Sequence, residues 1–129
     1  MKNLNPEDQH LIEIARELIK QRYKENYHHV SSALGTKAGS IFTGIHLEGY
    51  IGRVAVCAEA IALGQAAVAG DTDIDLIVEV SKEGDVVSPC GICRELISDY
   101  SANARVIINE DSVLRIASVS ELLPNKYKR

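Results

Sequence analysis

The order of elements read along the chain predicts an α/β protein, a three-layer α/β/α sandwich with a mixed five-stranded sheet, in one domain over residues 1–129. Three observations carry that expectation. Amphipathic stretches alternate with β-branched runs in the order helix, two strands, helix, strand, helix, two strands. Both cysteine-bearing pieces, Cys57-Ala58-Glu59 and Pro89-Cys90-Gly91-Ile92-Cys93, stand at helix starts that follow a strand or loop. A chain of 129 residues also supports a single hydrophobic core, with no room for a second.

The elements follow in order. Asn5-Pro6-Glu7-Asp8 reads as a helix start, with an Asn cap, Pro in the first turn and acids at the positive end of the dipole. Leu11, Ile14, Ala15, Leu18 and Ile19 then recur at helical spacing, which predicts an amphipathic helix over 6–22. Strands are expected at Tyr27–Gly35 and Ser40–Leu47, joined through Thr36-Lys37-Ala38-Gly39. Residues 48–56, with Gly49, Gly52 and Arg53, read as a loop. From Cys57 to Ala69 the chain is apolar almost all round, as in a helix buried on every side, here in part against other subunits. Asp75–Val80 is the third strand, Cys90–Tyr100 a helix with Cys90 and Cys93 in its first turn, and Arg105–Asn109 and Val113–Ser118 the last strands. A short turn around Leu122-Leu123-Pro124 precedes the tail.

Composition narrows the function. Apolar and charged shares of 46% and 25% are those of an ordinary globular protein. The net charge of −4 and the lack of a basic run argue against a nucleic acid polymer as partner and for a small molecule. No stretch reaches the roughly 18 apolar residues of a membrane span, and MKNLNPEDQH lacks a signal peptide's apolar core. Three cysteines without such a signal point to a reducing compartment, so the cytoplasm is expected.

The chemistry lies in the cysteines. Three thiolates can hold one zinc ion and leave its fourth position for water, the arrangement of a catalytic site. Zinc lowers the pKa of such a water towards 7, and Glu59, two residues from Cys57, is placed to carry its proton. Helix N-termini favour thiolates, which is expected to lower their pKa and help metal capture. Other readings stand beside this one: buried cysteine as a small apolar filler, a Cys90–Cys93 redox pair, or a structural zinc module without turnover. Neither a filler nor a redox pair explains a third cysteine followed by Ala-Glu.

A Cys-Ala-Glu followed by Pro-Cys-x-x-Cys resembles the zinc cytidine deaminases, including their blasticidin-S deaminase relatives. The resemblance runs from about Tyr27 to Tyr127. It matches His28-His29-Val30 to a Phe-x-Val stretch, and His46-Leu47-Glu48 to an Asn-x-Glu pair that holds the ribose 3′-hydroxyl. Leu122-Leu123-Pro124 and Tyr127 match a Leu-Leu-Pro-x-x-aromatic ending. It implies Zn2+ on Cys57, Cys90 and Cys93, Glu59 as the catalytic proton carrier, and the Ala58 N–H facing the ring carbonyl. His28, His46 and Glu48 are then substrate-binding, and Tyr127 completes a neighbour's site in a homotetramer. The implied reaction is hydrolytic deamination of a free cytidine, deoxycytidine or sugar-modified analogue, with a blasticidin-S-type antibiotic as the alternative substrate.

Three departures qualify the match. His28 and His46 replace an aromatic and an Asn on the sugar side. Both are expected to become cationic towards pH about 6.5, favouring a carboxylate or phosphate on the substrate's sugar and weakening discrimination for an intact ribose. Ala60 stands where three-cysteine members carry Arg after the Glu, leaving Arg53 and Arg94 as candidates for charge compensation.

Overall fold

The computed structural model describes residues 4–129. Helix α1 (Pro6–Arg22) starts as read. Asn5 accepts from the Asp8 backbone N–H at 2.8 Å while the Asp8 carboxylate accepts from the Asn5 N–H at 3.0 Å, a reciprocal capping box. Strands β1 (Val30–Thr36) and β2 (Ile41–Ile45) form an antiparallel pair. Helix α2 (Ala58–Val68), strand β3 (Ile74–Ser81), strand β4 (Val86–Val87), helix α3 (Gly91–Tyr100), and strands β5 (Arg105–Glu110) and β6 (Val113–Ser118) follow.

The sheet order is β2-β1-β3-β5-β6, with β4 also paired to β3. Only β3 and β5 run parallel; the other pairs are antiparallel, so the sheet is mixed. It has six strands rather than five. The extra strand, β4, is two residues folded back on β3 through a turn closed by Gly84 at φ 88°, too short to show a period.

Period-2 alternation sends each strand's side chains to two cores. On one face Leu11, Ile12, Ala15 and Ile19 of α1 pack with Ala33, Leu76, Val78, Val80 and Ile107. On the other, Ala62, Leu63 and Ala66 of α2 and Cys93 and Ile97 of α3 pack with Leu34, Ile77, Val106 and Ile108. These are the three layers expected.

Two local expectations change, at His28 and at His46-Leu47. His28 lies ahead of β1, because Lys24 and His28 exchange backbone hydrogen bonds (3.1 and 2.8 Å) around a turn that includes Asn26 at φ 70°. His46 and Leu47 lie past β2, where Leu47 instead forms a two-bond bridge to Val56. Helix α2 is buried on one side only: Gly64, Gln65 and Ala67 are exposed, and Val68 is 91% exposed. Where α2 crosses β2 it comes so near that a Cβ on Gly44 would collide with the backbone of Ala58 and Ala62. That close approach sets the position of the first turn of α2.

Candidate metal centre

Cys57 is the N-cap of α2 and Cys90 the N-cap of α3, and neither thiol caps its own helix by a hydrogen bond. Cys93, one turn into α3, is buried. The two helix starts meet so that all three sulfurs lie within 4.8 Å of one another, with Cys57 Sγ and Cys90 Sγ 4.0 Å apart. A tetrahedral zinc with bonds of about 2.3 Å sets its sulfurs about 3.8 Å apart, so the cluster fits that ion. All three thiols are free, with no disulfide between Cys90 and Cys93.

The helix starts affect the thiols unequally. Burial raises Cys90, but the Cys93 backbone N–H and the neighbouring thiols and N–H groups outweigh it, and Cys90 ends below its ordinary value. Burial dominates for Cys57 and Cys93 and pushes both up. The expected thiolate-favouring effect therefore holds at Cys90 alone. The other two thiols give up their protons to a metal, which makes loading pH-dependent.

Glu59 stands in the first turn of α2, 1% exposed. Neither carboxylate oxygen meets a backbone, amide, hydroxyl or cationic donor among the described residues; the Glu79 carboxyl lies within hydrogen-bonding reach of it. A buried carboxylate held by nothing but another carboxyl is costly, which is the mark of a site whose remaining partner is a water or a ligand. The three-thiol donor set and this carboxylate both fit zinc.

Glu79 was not among the residues singled out above. It shares the face of β3 that carries Ile77 towards α2 and α3. Burial and then the Glu59 carboxylate push its own carboxyl up to about 9, so it holds its proton at neutral pH. The signal was present in the run DLIVEV, where Glu79 alternates with the buried apolar residues Val78 and Val80 and lies on the same face as Ile77.

The bridge between Leu47 and Val56 (3.0 and 2.8 Å) ties the His46-Leu47-Glu48 segment to the chain that enters Cys57. His46 Nε2 lies 3.1 Å from Glu48 Oε1, and its Nδ1 accepts from the His29 backbone N–H at 3.0 Å. His28 Nδ1 donates to the His46 carbonyl at 2.8 Å. The cationic His46 expected above is not what this geometry supports: the ring is already committed at both nitrogens, and burial pushes it below its ordinary value.

Ala58 is fully buried at the first position of α2, where a helix N–H has no intrahelical partner. Arg94 donates to the Pro89 and Leu122 carbonyls at 2.8 and 3.1 Å, clamping the C-terminal turn to the start of α3. Arg53 is exposed in a single 3₁₀ turn. Tyr127 is 80% exposed and lines a groove with Tyr100 and Lys126.

Comparison with known proteins adds three findings. The family profile described as "Cytidine and deoxycytidylate deaminase zinc-binding region" matches residues 5–109. Blasticidin-S deaminase of Bacillus cereus is 47% identical over 98% of this chain and 96% of that protein, and a cytidine deaminase of Halalkalibacterium halodurans is 33% identical over 76% of each. Among solved structures, a cytidine deaminase from Mycobacterium leprae superposes with a TM-score of 0.81 at 22% identity, over 95% of this chain and 100% of that one.

Proposed function

The chain belongs to the cytidine and deoxycytidylate deaminase family, and from that premise we propose that it is a zinc-dependent hydrolase converting a free cytosine-containing nucleoside to its uracil form with release of ammonia. The observation that carries this reading is the buried Glu59 carboxylate, met by no fixed protein donor among the described residues, two residues from one of three clustered thiols.

Cys57, Cys90 and Cys93 hold the metal. When bound, zinc supplies the positive charge that acidifies a water and stabilises the negative charge developing in the transition state. Glu59 accepts the water proton, delivers it to ring N3, and later passes a proton to the amine that leaves as ammonia. The Ala58 N–H donates to the ring carbonyl, using a helix-start donor that has no other partner. Glu79 stays neutral beside Glu59 and so adds no second negative charge to a pocket already holding three thiolates. Arg94, bonded to two backbone carbonyls, is placed for a structural role, and Arg53 is exposed.

The 47% identity to a blasticidin-S deaminase supports a second substrate reading, a modified cytosine nucleoside of that kind. The exposed outer face of α2 supports a homotetramer in which copies cover it, with the exposed Tyr127 reaching a neighbour's site. The three free thiols suit a reducing compartment such as the cytoplasm.

The test is ammonia release by zinc-loaded protein from cytidine, deoxycytidine, sugar-modified analogues and blasticidin S. Turnover of at least one is expected. Zinc-loaded protein that releases ammonia from none of them overturns the reading in favour of a structural zinc module.

A further inference from the structure

The two nitrogens of the His46 imidazole are not equivalent. The His29 backbone N–H donates to Nδ1 at 3.0 Å. An amide N–H only donates, so Nδ1 presents a lone pair and the ring proton sits on Nε2. Nε2 lies 3.1 Å from Glu48 Oε1, an acceptor. The ring thus links a fixed backbone donor to a carboxylate, with no nitrogen left for a ligand. Its main chain is pinned as well: the His46 N–H donates to the Val30 carbonyl at 2.9 Å, and its carbonyl accepts from His28 Nδ1 at 2.8 Å. The His46 side chain is 16% exposed and that of Glu48 33%, so the ring is the inner member of the pair and the carboxylate the outer.

We propose that His46 is a positioning residue that never touches the substrate: its Nε2–H holds one oxygen of Glu48, and the other oxygen becomes an acceptor-only contact for the substrate's sugar side. This rests on the reading that Glu48 faces the sugar.

A proton on Nδ1 would point at the His29 N–H, so the geometry opposes an imidazolium. Burial, the first cause of the downward shift at His46, acts in the same direction; Glu48 opposes it, and His29 and His28 reinforce it. The titratable groups facing the ring are these three, with the His29 ring centroid 5.5 Å away and its Nε2 occupied by the Asn26 N–H at 2.9 Å.

A neutral His46 leaves the pair with the charge of the carboxylate alone. The sugar-side group it receives is then a donor, a hydroxyl or an ammonium, whose charge-assisted bond is the stronger. A phosphate meets like charge. The group favoured beside Glu48 is therefore a hydroxyl or an ammonium, not an anion.

Two measurements on zinc-loaded protein separate this proposal from the reading beneath it. Ring-nitrogen NMR needs no turnover and should show His46 as the Nε2–H tautomer from about pH 7.5 down to about pH 5.5. An Nδ1–H tautomer, or an imidazolium forming near the ordinary histidine value, overturns the proposal. A double-mutant cycle on kcat/KM for cytidine should show His46→Ala losing about 10-fold in the native background but under about 2-fold in a Glu48→Ala background. Equal losses in both backgrounds put His46 against the substrate and overturn it. Preference should run from 3′-amino-3′-deoxycytidine through cytidine to cytidine 3′-monophosphate, and a preferred phosphate contradicts it. If no cytosine nucleoside is turned over, the proposed function falls while the NMR result still decides the tautomer.

Discussion

The reaction end and the sugar end of this molecule are built by different means. At the reaction end, Cys57, Glu59, Cys90 and Cys93 hang from the first turns of two helices, and the helices are wedged in place by a core that includes Cys93 itself. Glu59 and the thiols have little bonding to the rest of the protein, so they are free for metal and ligand. At the sugar end, His28, His29, His46 and Glu48 sit on strand extensions and a turn, and they spend their hydrogen bonds on one another. One end keeps its polar groups unsatisfied for chemistry. The other satisfies its imidazoles internally and leaves the Glu48 carboxylate on its outer side. The contrast teaches that two histidines near a pocket are no guide to its charge until their partners are known.

Substitutions can break that contrast, and the largest effect is expected at the sulfurs. Cys93→Ala should leave far less than one zinc per chain after dialysis and reduce turnover to background, whereas Glu48→Gln should keep its zinc. Elemental analysis of the two variants decides it; equal zinc in both means the ligand set is wrong. Next is the wedge that sets α2. Gly44→Ala puts a Cβ into the backbone of Ala58 and Ala62 and should destabilise the fold by about 1–3 kcal/mol in denaturant titrations, with a parallel loss of turnover. An unchanged midpoint would show that α2 can retreat without consequence.

The smallest effect is a pH dependence from Glu79. Below about 4.5 its carboxyl is protonated in folded and unfolded chains alike and contributes nothing. Above that the unfolded chain releases the proton while the folded protein keeps it until about 9, so this group makes stability fall as pH rises between those values. Glu79→Gln removes the proton uptake. Its melting temperature should exceed that of the native protein by a margin that widens from about pH 5 to about pH 8. Parallel curves for the two proteins would place Glu79 in ordinary solvent.

The reaction end was legible in the sequence because its spacing is local. A cysteine at an N-cap with Glu two residues on, and a second cysteine one turn after another N-cap, place their side chains wherever the two helices start. What joins the two pieces is tertiary, yet one metal needs all three thiols, so chemistry supplied the contact. Glu79 depends on which strand face meets α2, and no local spacing encodes that. The bond between His46 Nδ1 and the His29 N–H was not legible either, because the two residues lie 17 positions apart in the chain. On the outward face of α2, Gly64, Ala67 and Val68 are apolar but open on a single chain, and composition alone could not tell core from interface. Strand β4 escaped because two residues carry no period.

The central claim is that Glu59 moves protons beside a three-thiolate zinc and does not hold the metal. Glu59→Gln keeps shape and burial but cannot accept a proton, so the decisive measurement is zinc content and cytidine turnover on the same preparation of that variant. The account predicts one zinc per chain, as in the native protein, with kcat lower by roughly 10²–10⁴-fold. Near-native turnover, or loss of zinc together with activity, would contradict it.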